Sequence, residues 1–375
     1  MKRSDKILIV SYYYPPYVFG GSLRMHYLSK YLEEKGYSVS VITAQPGDEK
    51  HTTVINDPFP SSSIKKKNPG LRKYNPMPDS MFFWSIRVSL FIRKHHKKYS
   101  RIIISIPPYS ASLFPALMLP VCIRNKIIID IRDSWSDSPL MQYGNILYRK
   151  LDEAMEKFTY SKFNDIVSVT EGIRDDCSKK TDKTIHYIRN PLDSSEAPEV
   201  IEGDYLIHPG KMDNIRFNSR FLQVYDSLSS KLTIRAAGII SINCSNYPFI
   251  ESMDELNRKS MLKVIGASRA GLIMLDFDLS CPYYIFPSKL LDYILCRKPV
   301  LYVGPPTIAS EFIENEGIGI AVTSHEREDI IRGIERILEG EFTVSDELIE
   351  SLDYHLVFEK YLRLLDTATL NSGGP

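Results

Sequence analysis

Short apolar strands alternate with helical segments along the chain, and this alternation is the feature that most limits the possible folds. The first half predicts strands at 7–11, 39–43, 102–106, 127–131, 166–169 and 185–188, with a helix at about 22–35. The second half predicts strands at 205–208, 232–236, 271–275, 299–303 and 318–322, with helices from about Asp213, from about Ser288, and over 326–338 and 345–365. Apolar strands separated by helices indicate parallel sheets covered on both faces. The predicted fold class is therefore α/β, with two Rossmann-like domains.

A polar segment that follows Asn190-Pro191 separates the two series and is typical of a linker. We predict an N-terminal domain over 1–198, a C-terminal domain over 199–350, and a helix and tail over 351–375 that cross back to the N-terminal domain. Two domains of these sizes are ordinary for 375 residues. The segment 45–80 has no periodicity, and we expect a mobile functional loop there.

Charge is distributed unevenly between the halves. Residues 1–200 hold 30 Lys and Arg against 21 Asp and Glu, whereas 201–375 hold 17 against 25. Residues 51–100 contain ten basic residues and two acidic ones. Within this range, the apolar segment 82–92 is followed by a basic segment at 93–98. An amphipathic helix on an anionic membrane surface has this pattern, and a core helix with a basic, solvated end is the alternative. Nucleic acid is not an expected partner, because no recognition motif accompanies the charge.

The N-terminal apolar run is too short for a secretory signal, and no apolar stretch reaches the length of a membrane span. We therefore expect a cytoplasmic protein. A peripheral contact with the inner face of the cell membrane is a further expectation. The five cysteines are scattered and never form a C-x-x-C pair, so neither a disulfide framework nor a zinc site is predicted.

Two motifs in the first half could bind a ligand. Gly20 and Gly21 precede a predicted helix, where backbone N–H groups could approach a phosphate or sugar oxygen, although a plain strand-to-helix turn has the same pattern. The G-x-G-x-x-G fingerprint is absent, which argues against a nicotinamide enzyme. Arg132, Asp133 and Trp135 follow a buried strand at the sheet edge where open α/β proteins bind ligands. An Asp–Arg pair that fixes the loop, with Trp135 in the core, is the alternative.

The second half contains two motifs that could bind a diphosphate. Gly210 ends the first strand, and Arg216 and Arg220 follow it, predicted on one helix face. A solvated basic face is the alternative for these arginines. Farther along, Ser288 begins a predicted helix, Lys289 supplies a cation, and Asp292 could accept ribose hydroxyls. An ordinary capped helix is the alternative, but a lysine at a helix start opposes the helix dipole and so favours an anion nearby.

These motifs together resemble the retaining GT-B glycosyltransferases of family 4, in the branch that builds bacterial surface polysaccharides. The resemblance covers nearly the whole chain. Its pieces are Y-Y-Y-P-P at 12–16 with Gly20-Gly21, D-I-R-D-S-W at 130–135, V-T-E-G-I at 169–173, I-R-N-P-L-D at 188–193, Gly210 with Arg216, P-S-K-L-L-D-Y at 287–293 and K-P-V at 298–300. Their order and spacing carry the resemblance.

The resemblance implies two Rossmann-like domains that face each other across a cleft, with a nucleotide-sugar donor against the C-terminal domain and the acceptor facing the N-terminal domain. The loop expected at 45–80 would then lie on the acceptor side. It implies donor-binding roles for Gly20, Gly21, Gly210, Arg216, Tyr284, Ser288, Lys289, Leu290 and Asp292. It implies acceptor-side roles for Arg24, Arg132, Asp133 and Trp135, and catalytic roles for Arg216, Lys289 and Asp133. Many members carry two glutamates eight residues apart; here Asp292 stands at the second position and Tyr284 at the first, where a tyrosine cannot supply the usual carboxylate.

The implied reaction is sugar transfer, with retention, to a lipid-linked or oligosaccharide acceptor in capsule, O-antigen or exopolysaccharide synthesis. The resemblance implies neither a cofactor nor a metal. Asp276-x-Asp278 has the spacing of a metal-binding D-x-D triplet, but two Rossmann-like halves argue against that use. A nucleotide-sugar 2-epimerase of the same architecture and a catalytically degenerate nucleotide-sugar-binding protein are the alternatives.

Overall fold

The computed structural model of the protein describes residues 5–16, 20–45, 51–59, 78–138, 143, 145–229, 231–279 and 282–371. The chain forms two compact units: unit 1 comprises 1–190 together with 357–375, and unit 2 comprises 191–356. Each unit is built on one parallel sheet.

The strands of unit 1 are β1 (Lys6–Val10), β2 (Ser38–Thr43), β3 (Thr52–Val54), β4 (Arg101–Ile106), β5 (Ile127–Ile131), β6 (Asp165–Ser168) and β7 (Ile185–Tyr187). Its helices before residue 190 are α1 (Gly20–Glu34), α2 (Phe82–His95), α3 (Ser110–Met118), α4 (Val121–Arg124), α5 (Ile146–Ser161) and α6 (Glu171–Ser178). The strand order is β3-β2-β1-β4-β5-β6-β7. Every residue of β4 and β5 is buried, as expected of central strands covered on both faces.

The strands of unit 2 are β8 (Tyr205–Pro209), β9 (Thr233–Ala237), β10 (Ile250–Met253), β11 (Ala270–Met274), β12 (Val300–Val303) and β13 (Gly319–Val322). Its helices are α7 (Ser219–Asp226), α8 (Arg258–Gly266), α9 (Lys289–Leu295), α10 (Ile308–Asn315), α11 (Arg327–Glu339), α12 (Asp346–Leu352) and α13 (Tyr354–Val357), and the chain then continues into α14 (Glu359–Asn371). The order is β10-β9-β8-β11-β12-β13. The strand order reverses between β1 and β4 in one sheet and between β8 and β11 in the other, and such switch points are where open α/β sheets bind ligands.

Several local features differ from the sequence-based predictions. The short edge strands β3 and β10 were not predicted, and the helix predicted from Asp213 begins at Ser219. The Asp213 carboxylate accepts hydrogen bonds from the N–H groups of Ile215 and Arg216 and so stabilises a turn, while Asn218 caps the helix by accepting from Phe221 N. The prediction that Arg216 and Arg220 share a helix face is therefore wrong. In the segment 45–80, residues 46–50 and 60–77 lie outside the described residues, so the mobile loop expected there is not described.

The polar linker begins inside unit 2. Leu192 N donates to Leu352 O, and Tyr354 N donates to Leu192 O. These bonds attach the start of the linker to the end of α12, which explains why the units divide after Asn190 and not at the predicted position 198. The predicted helix at 345–365 is three helices. The first break comes at Asp353, where the chain leaves helical geometry and pairs with Leu192.

The C-terminal helix α14 belongs to unit 1. Its Tyr361 hydroxyl donates to Oδ2 of Asp130 on β5, and Asp130 also accepts from Nε and Nη2 of Arg24 on α1 at 2.8–3.1 Å. Both charged side chains are fully buried. The predicted return of the C-terminal helix to the first domain is therefore confirmed. Within the described ranges, no helix has the length and apolar character needed to cross a bilayer.

Candidate functional site

The carboxyl end of β8 lies at the switch point of unit 2, and a glycine turn follows it. Gly210 has a φ of +87°, a conformation that glycine adopts without strain. Its N–H donates to Ala237 O at 2.8 Å, and Gly238 approaches so closely that a Cβ there would lie 2.6 Å from Gly210 O. The ends of β8 and β9 are thus held together backbone to backbone.

One carboxylate organises the basic side chains of this turn. Asp213 Oδ2 lies 2.8 Å from Lys211 Nζ and 2.9 Å from Arg216 Nη1. Burial alone would raise the pKa of Asp213, but the two cations hold it below its ordinary value. Two cations therefore share a single anion, and the turn keeps an excess of positive charge.

Lys289 adds a third cation from the first residue of α9. Its Nζ lies 3.1 Å from Nε2 of His208, which is a fully buried residue of β8. Among the described residues Lys289 makes no ion pair with a carboxylate. Burial, and then the charge of Arg216, lower the pKa of Lys289 to about 7, against the opposing effects of Asp292 and Asp213. An anion bound here would reverse that effect, so the site favours an anionic ligand.

Asp292 lies on the same short helix, where Arg258 of α8 binds it. Arg258 Nη1 donates to Asp292 Oδ1, and Arg258 Nε donates to Glu196 Oε2 at 3.0 Å. Burial raises the pKa of Asp292, and the Arg258 cation counteracts this. The predicted ribose-binding carboxylate is therefore held in a fixed orientation by a residue that the sequence did not single out.

Three other predicted donor residues lie around α9. Ser288 is exposed at the helix start and makes no side-chain capping bond, and Tyr284 is half-buried in a single 3₁₀ turn at Pro282–Tyr284. Leu290 is fully buried in the core of unit 2, and its N–H donates to Pro287 O. A donor-binding role for Leu290 is therefore not supported, because neither its side chain nor its amide is free for a ligand.

In unit 1, the diglycine and the loop after β5 come together at the β1–β4 switch point. Gly20 and Gly21 are the first two residues of α1 and not residues before it. A Cβ at Gly21 would lie 0.9 Å from Nη1 of Arg132, so the guanidinium occupies the space that the glycine leaves. Arg132 Nη2 donates to Pro107 O at 2.7 Å, and the neighbouring Asp133 is exposed. Arg132 and Asp133 thus lie where a ligand of this sheet would bind.

The other two acceptor-side predictions are wrong for a common reason, which is burial. Arg24 is 1% exposed and belongs to the Arg24–Asp130–Tyr361 cluster, so it cannot reach a ligand. Trp135 is 0% exposed, stacks on Tyr109 with ring centroids 4.9 Å apart, and donates from Nε1 to Asp152 Oδ1 at 2.8 Å. The structure therefore supports the alternative interpretation, in which Trp135 is a core residue.

A buried polar cluster fixes the loop after β5. Lys180 Nζ lies 3.0 Å from Glu156 Oε2, 2.8 Å from Asp176 Oδ2 and 2.8 Å from Asp137 Oδ2. Ser134 donates to Asp176, and the backbone N–H and hydroxyl of Ser136 donate to Glu156. Consecutive residues of the loop are thus bound to α5 and to the end of α6, which orients the exposed Asp133.

The acidic triplet at 276–278 has a local role. Asp276 Oδ1 accepts from Asp278 N at 3.0 Å, and Asp276 N donates to Ile215 O. Within the described ranges, no group of three His, Cys, Asp or Glu side chains is placed to hold a metal ion.

Comparison with solved structures identifies the class of fold. The protein is similar to a sucrose-phosphate synthase from Thermosynechococcus elongatus, with a TM-score of 0.71, 12% identity, and coverage of 98% of this chain and 100% of that one. It is similar to an α,α-trehalose-phosphate synthase (UDP-forming) from Burkholderia xenovorans, with a TM-score of 0.64, 9% identity, and coverage of 97% and 100%. A UDP-GlcNAc 2-epimerase from Methanocaldococcus jannaschii matches with a TM-score of 0.57, 10% identity, and coverage of 97% and 99%.

These similarities show that the chain has the GT-B fold, with two Rossmann-like domains, as predicted. No protein-family model matches the sequence, and no curated protein matches it. At these identities the likeness shows the fold alone, so the activity has to be argued from the site.

Among the residues of the candidate sites that were missed from sequence, three hold other site residues in place. His208 and Arg258 hold the two polar residues of α9, and Lys180 holds the loop after β5. His208 lies next to the Gly210 turn, and its position in an otherwise apolar strand was the available signal. Nothing in the local sequence distinguishes Arg258 or Lys180 from ordinary surface residues, because their partners lie elsewhere in the chain.

Proposed function

We propose that the protein is a glycosyltransferase that moves a sugar from a nucleotide-diphosphate sugar to a glycan acceptor. The observation that carries this proposal is the group of three cations at the carboxyl end of β8, Lys211, Arg216 and Lys289, of which Lys289 has no carboxylate partner among the described residues. A diphosphate is the anion that such a group fits. The GT-B fold supports sugar transfer as the reaction that uses it.

The chemistry that these residues can perform is stabilisation of a leaving group. As the bond between the sugar and the diphosphate breaks, negative charge grows on the diphosphate, and Lys289 and Arg216 would stabilise that charge. The Asp292 carboxylate, oriented by Arg258, would accept ribose hydroxyls. The rate enhancement would come from positioning and electrostatics without a protein nucleophile. Transfer with retention and without a metal is what the resemblance to the family 4 enzymes implies.

On the acceptor side, we propose that the exposed Asp133 and the neighbouring Arg132 contact the acceptor hydroxyl and its sugar. The resemblance to polysaccharide-building enzymes supports a lipid-linked glycan of capsule, O-antigen or exopolysaccharide synthesis. These two residues lie at the switch point of their sheet, and the cluster around Lys180 holds their loop in place.

Helix α2 supports a peripheral membrane contact. Its Trp84, Val88 and Ile92 are buried in unit 1, so that face of the helix packs in the core. The opposite face exposes Phe83 by 41% and Leu90 by 50%, and basic side chains follow at 93–98. Apolar side chains beside a basic cluster are typical of a helix that lies on anionic lipid. Flotation with anionic liposomes should be lost when the basic residues of 93–98 are changed to Glu; unchanged flotation would remove this part of the proposal.

The function is tested by a thermal-shift screen with UDP-, GDP-, ADP-, CMP- and dTDP-sugars, with and without EDTA. Binding to the folded state raises the melting temperature by mass action. We expect a shift with one nucleotide class that survives EDTA and is clearly reduced in Lys289→Gln. The matched control is Lys263→Gln, which changes an exposed lysine of the same unit. A shift that requires a divalent metal, or that is as large in Lys289→Gln as in the wild type, would contradict the proposed site.

A nucleotide-sugar 2-epimerase is the second candidate, and the similarity to the Methanocaldococcus jannaschii epimerase favours it. An epimerase would convert the nucleotide sugar without an acceptor, whereas a transferase would release nucleoside diphosphate in proportion to acceptor. The third candidate is a binding protein without activity, because Tyr284 stands where many transferases have a carboxylate. It would bind the donor and form neither product, so chromatography of the nucleotide products separates the three.

A further inference from the structure

The imidazole of His208 is fixed by its surroundings in unit 2. The ring is fully buried, and Nδ1 lies 3.1 Å from the carbonyl oxygen of Leu272 on the adjacent strand β11. A carbonyl only accepts hydrogen bonds, so Nδ1 carries the proton. Burial, followed by the charge of Lys289, holds the pKa of His208 well below its usual value, so the ring is neutral and Nε2 is an acceptor. The atom 3.1 Å from Nε2 is Nζ of Lys289, which therefore donates to the ring.

The charged groups that face Lys289 explain why a neutral partner matters. Arg216 faces it from the loop after β8, and Asp213 of that loop is already bound to Arg216 and Lys211. Asp292 lies on the same helix as Lys289 and is bound to Arg258. A carboxylate in place of His208 would hold the amine but would also cancel the positive charge of the site. An imidazole holds the amine and adds no negative charge.

We propose that His208 is a positioning residue for Lys289: it holds the Lys289 amine at the carboxyl end of β8, and the amine takes up a proton from solvent when a diphosphate binds beside it. This inference rests on the proposed function of the site. The neutral amine can donate to the imidazole, so its position is kept before the ligand arrives. The bound diphosphate then stabilises the ammonium form, and the proton stays on Nζ as the counter-charge to the leaving diphosphate.

The direction of the proton uptake follows from the lowered pKa of Lys289, about 7. Below that pH the amine is already largely protonated, so binding should take up little proton. Above that pH the amine is largely neutral, so binding should take up more. The uptake therefore rises with pH, and this profile is the signature to measure.

The experiment is isothermal titration calorimetry of the full chain with UDP-glucose and with GDP-mannose, whose diphosphates do not titrate in this range. Each titration is run at several pH values in two buffers of different ionisation enthalpy, so that the difference in heat counts protons. We expect the rising profile in the wild type and no uptake in Lys289→Gln. His208→Leu should weaken binding about tenfold and change the midpoint of the profile, and His208→Gln, which restores an acceptor, should recover part of both.

Tyr302→Phe is the control for loosening of the core, because it removes a buried hydrogen bond to Pro305 O in the same unit. This variant should bind and take up protons like the wild type. Binding without proton uptake at about pH 8, or a His208→Leu profile equal to that of the wild type, would overturn the inference and leave the proposed function standing. If neither UDP-glucose nor GDP-mannose binds, and the thermal-shift screen finds no other nucleotide sugar that binds, the proposed function itself would be overturned.

Discussion

Replacement of Lys180 by Met should strongly destabilise unit 1, whereas the same change at its neighbour Lys179 should not. Lys180 contacts three carboxylates, and two of them, Glu156 and Asp176, are buried. Lys179 is exposed, so it is a matched control one residue away. Removal of one partner from a buried ion pair costs about 3–5 kcal/mol, because it leaves the other charge buried and uncompensated. An exposed substitution changes stability by about 0.5 kcal/mol or less.

The effect should depend on pH in a definite direction. Burial alone would lower the pKa of Lys180, but Glu156, Asp137 and Asp176 raise it, so the lysine stays charged throughout the accessible range. Burial raises the pKa of Glu156, and loss of the cation raises it further. A carboxyl group with a raised folded-state pKa favours the folded state at low pH, and this contribution is lost as pH rises through that pKa. The loss of unfolding free energy in Lys180→Met, relative to the wild type, should therefore be smaller at acidic pH and larger towards neutral pH.

Urea unfolding followed by tryptophan fluorescence suits this test. The chain has two tryptophans, Trp84 and Trp135, and both are buried in unit 1, so the signal reports on that unit. Trp135 also lies between Ser134 and Ser136, two residues that belong to the polar cluster. Equal stability of the Lys180→Met and Lys179→Met variants, or a deficit that is the same at all pH values, would refute the reasoning.

Three further outcomes are expected. Gly21→Ala should destabilise unit 1, because the new Cβ would overlap the Arg132 guanidinium. Alanine in a helix is otherwise about 1 kcal/mol more stable than glycine. In the Arg132→Ala background, Gly21→Ala should therefore be neutral or stabilising in urea unfolding. Tyr361→Phe should cost about 1–3 kcal/mol of unit 1 stability, since Asp130 loses a buried donor, and an unchanged unfolding midpoint would contradict this. Asp133→Asn should raise the acceptor KM or lower kcat while the melting temperature stays the same; unchanged kinetics would exclude Asp133 from the reaction.

The fold was predictable because its signal is local and repeated. The central strands β4 and β5 are continuous apolar runs, and every residue in them is buried. The edge strands β3 and β10 were missed because each is short and contains no buried residue. The helix start at Ser219 was missed because Asp213 looks like a capping residue, whereas it caps a turn and Asn218 caps the helix.

The candidate site was only partly predictable, because burial of a charged residue depends on distant partners. The resemblance implied an acceptor-side role for Arg24, but its partner Asp130 lies on another element. The pattern around Lys289 predicted a cation near the helix start, and the structure places it at the switch point. It did not reveal that the partner of this cation is an imidazole of β8.

The Arg24–Asp130–Tyr361 cluster also determines when unit 1 can be completed during synthesis on the ribosome. Domains generally fold as units from the N-terminus as the chain emerges. Here the last partner of Asp130 belongs to α14, so all of unit 2 is translated before Tyr361 is available. The nascent first unit must therefore persist with a buried ion pair that lacks one of its donors, and docking of the final helix is the step that completes it.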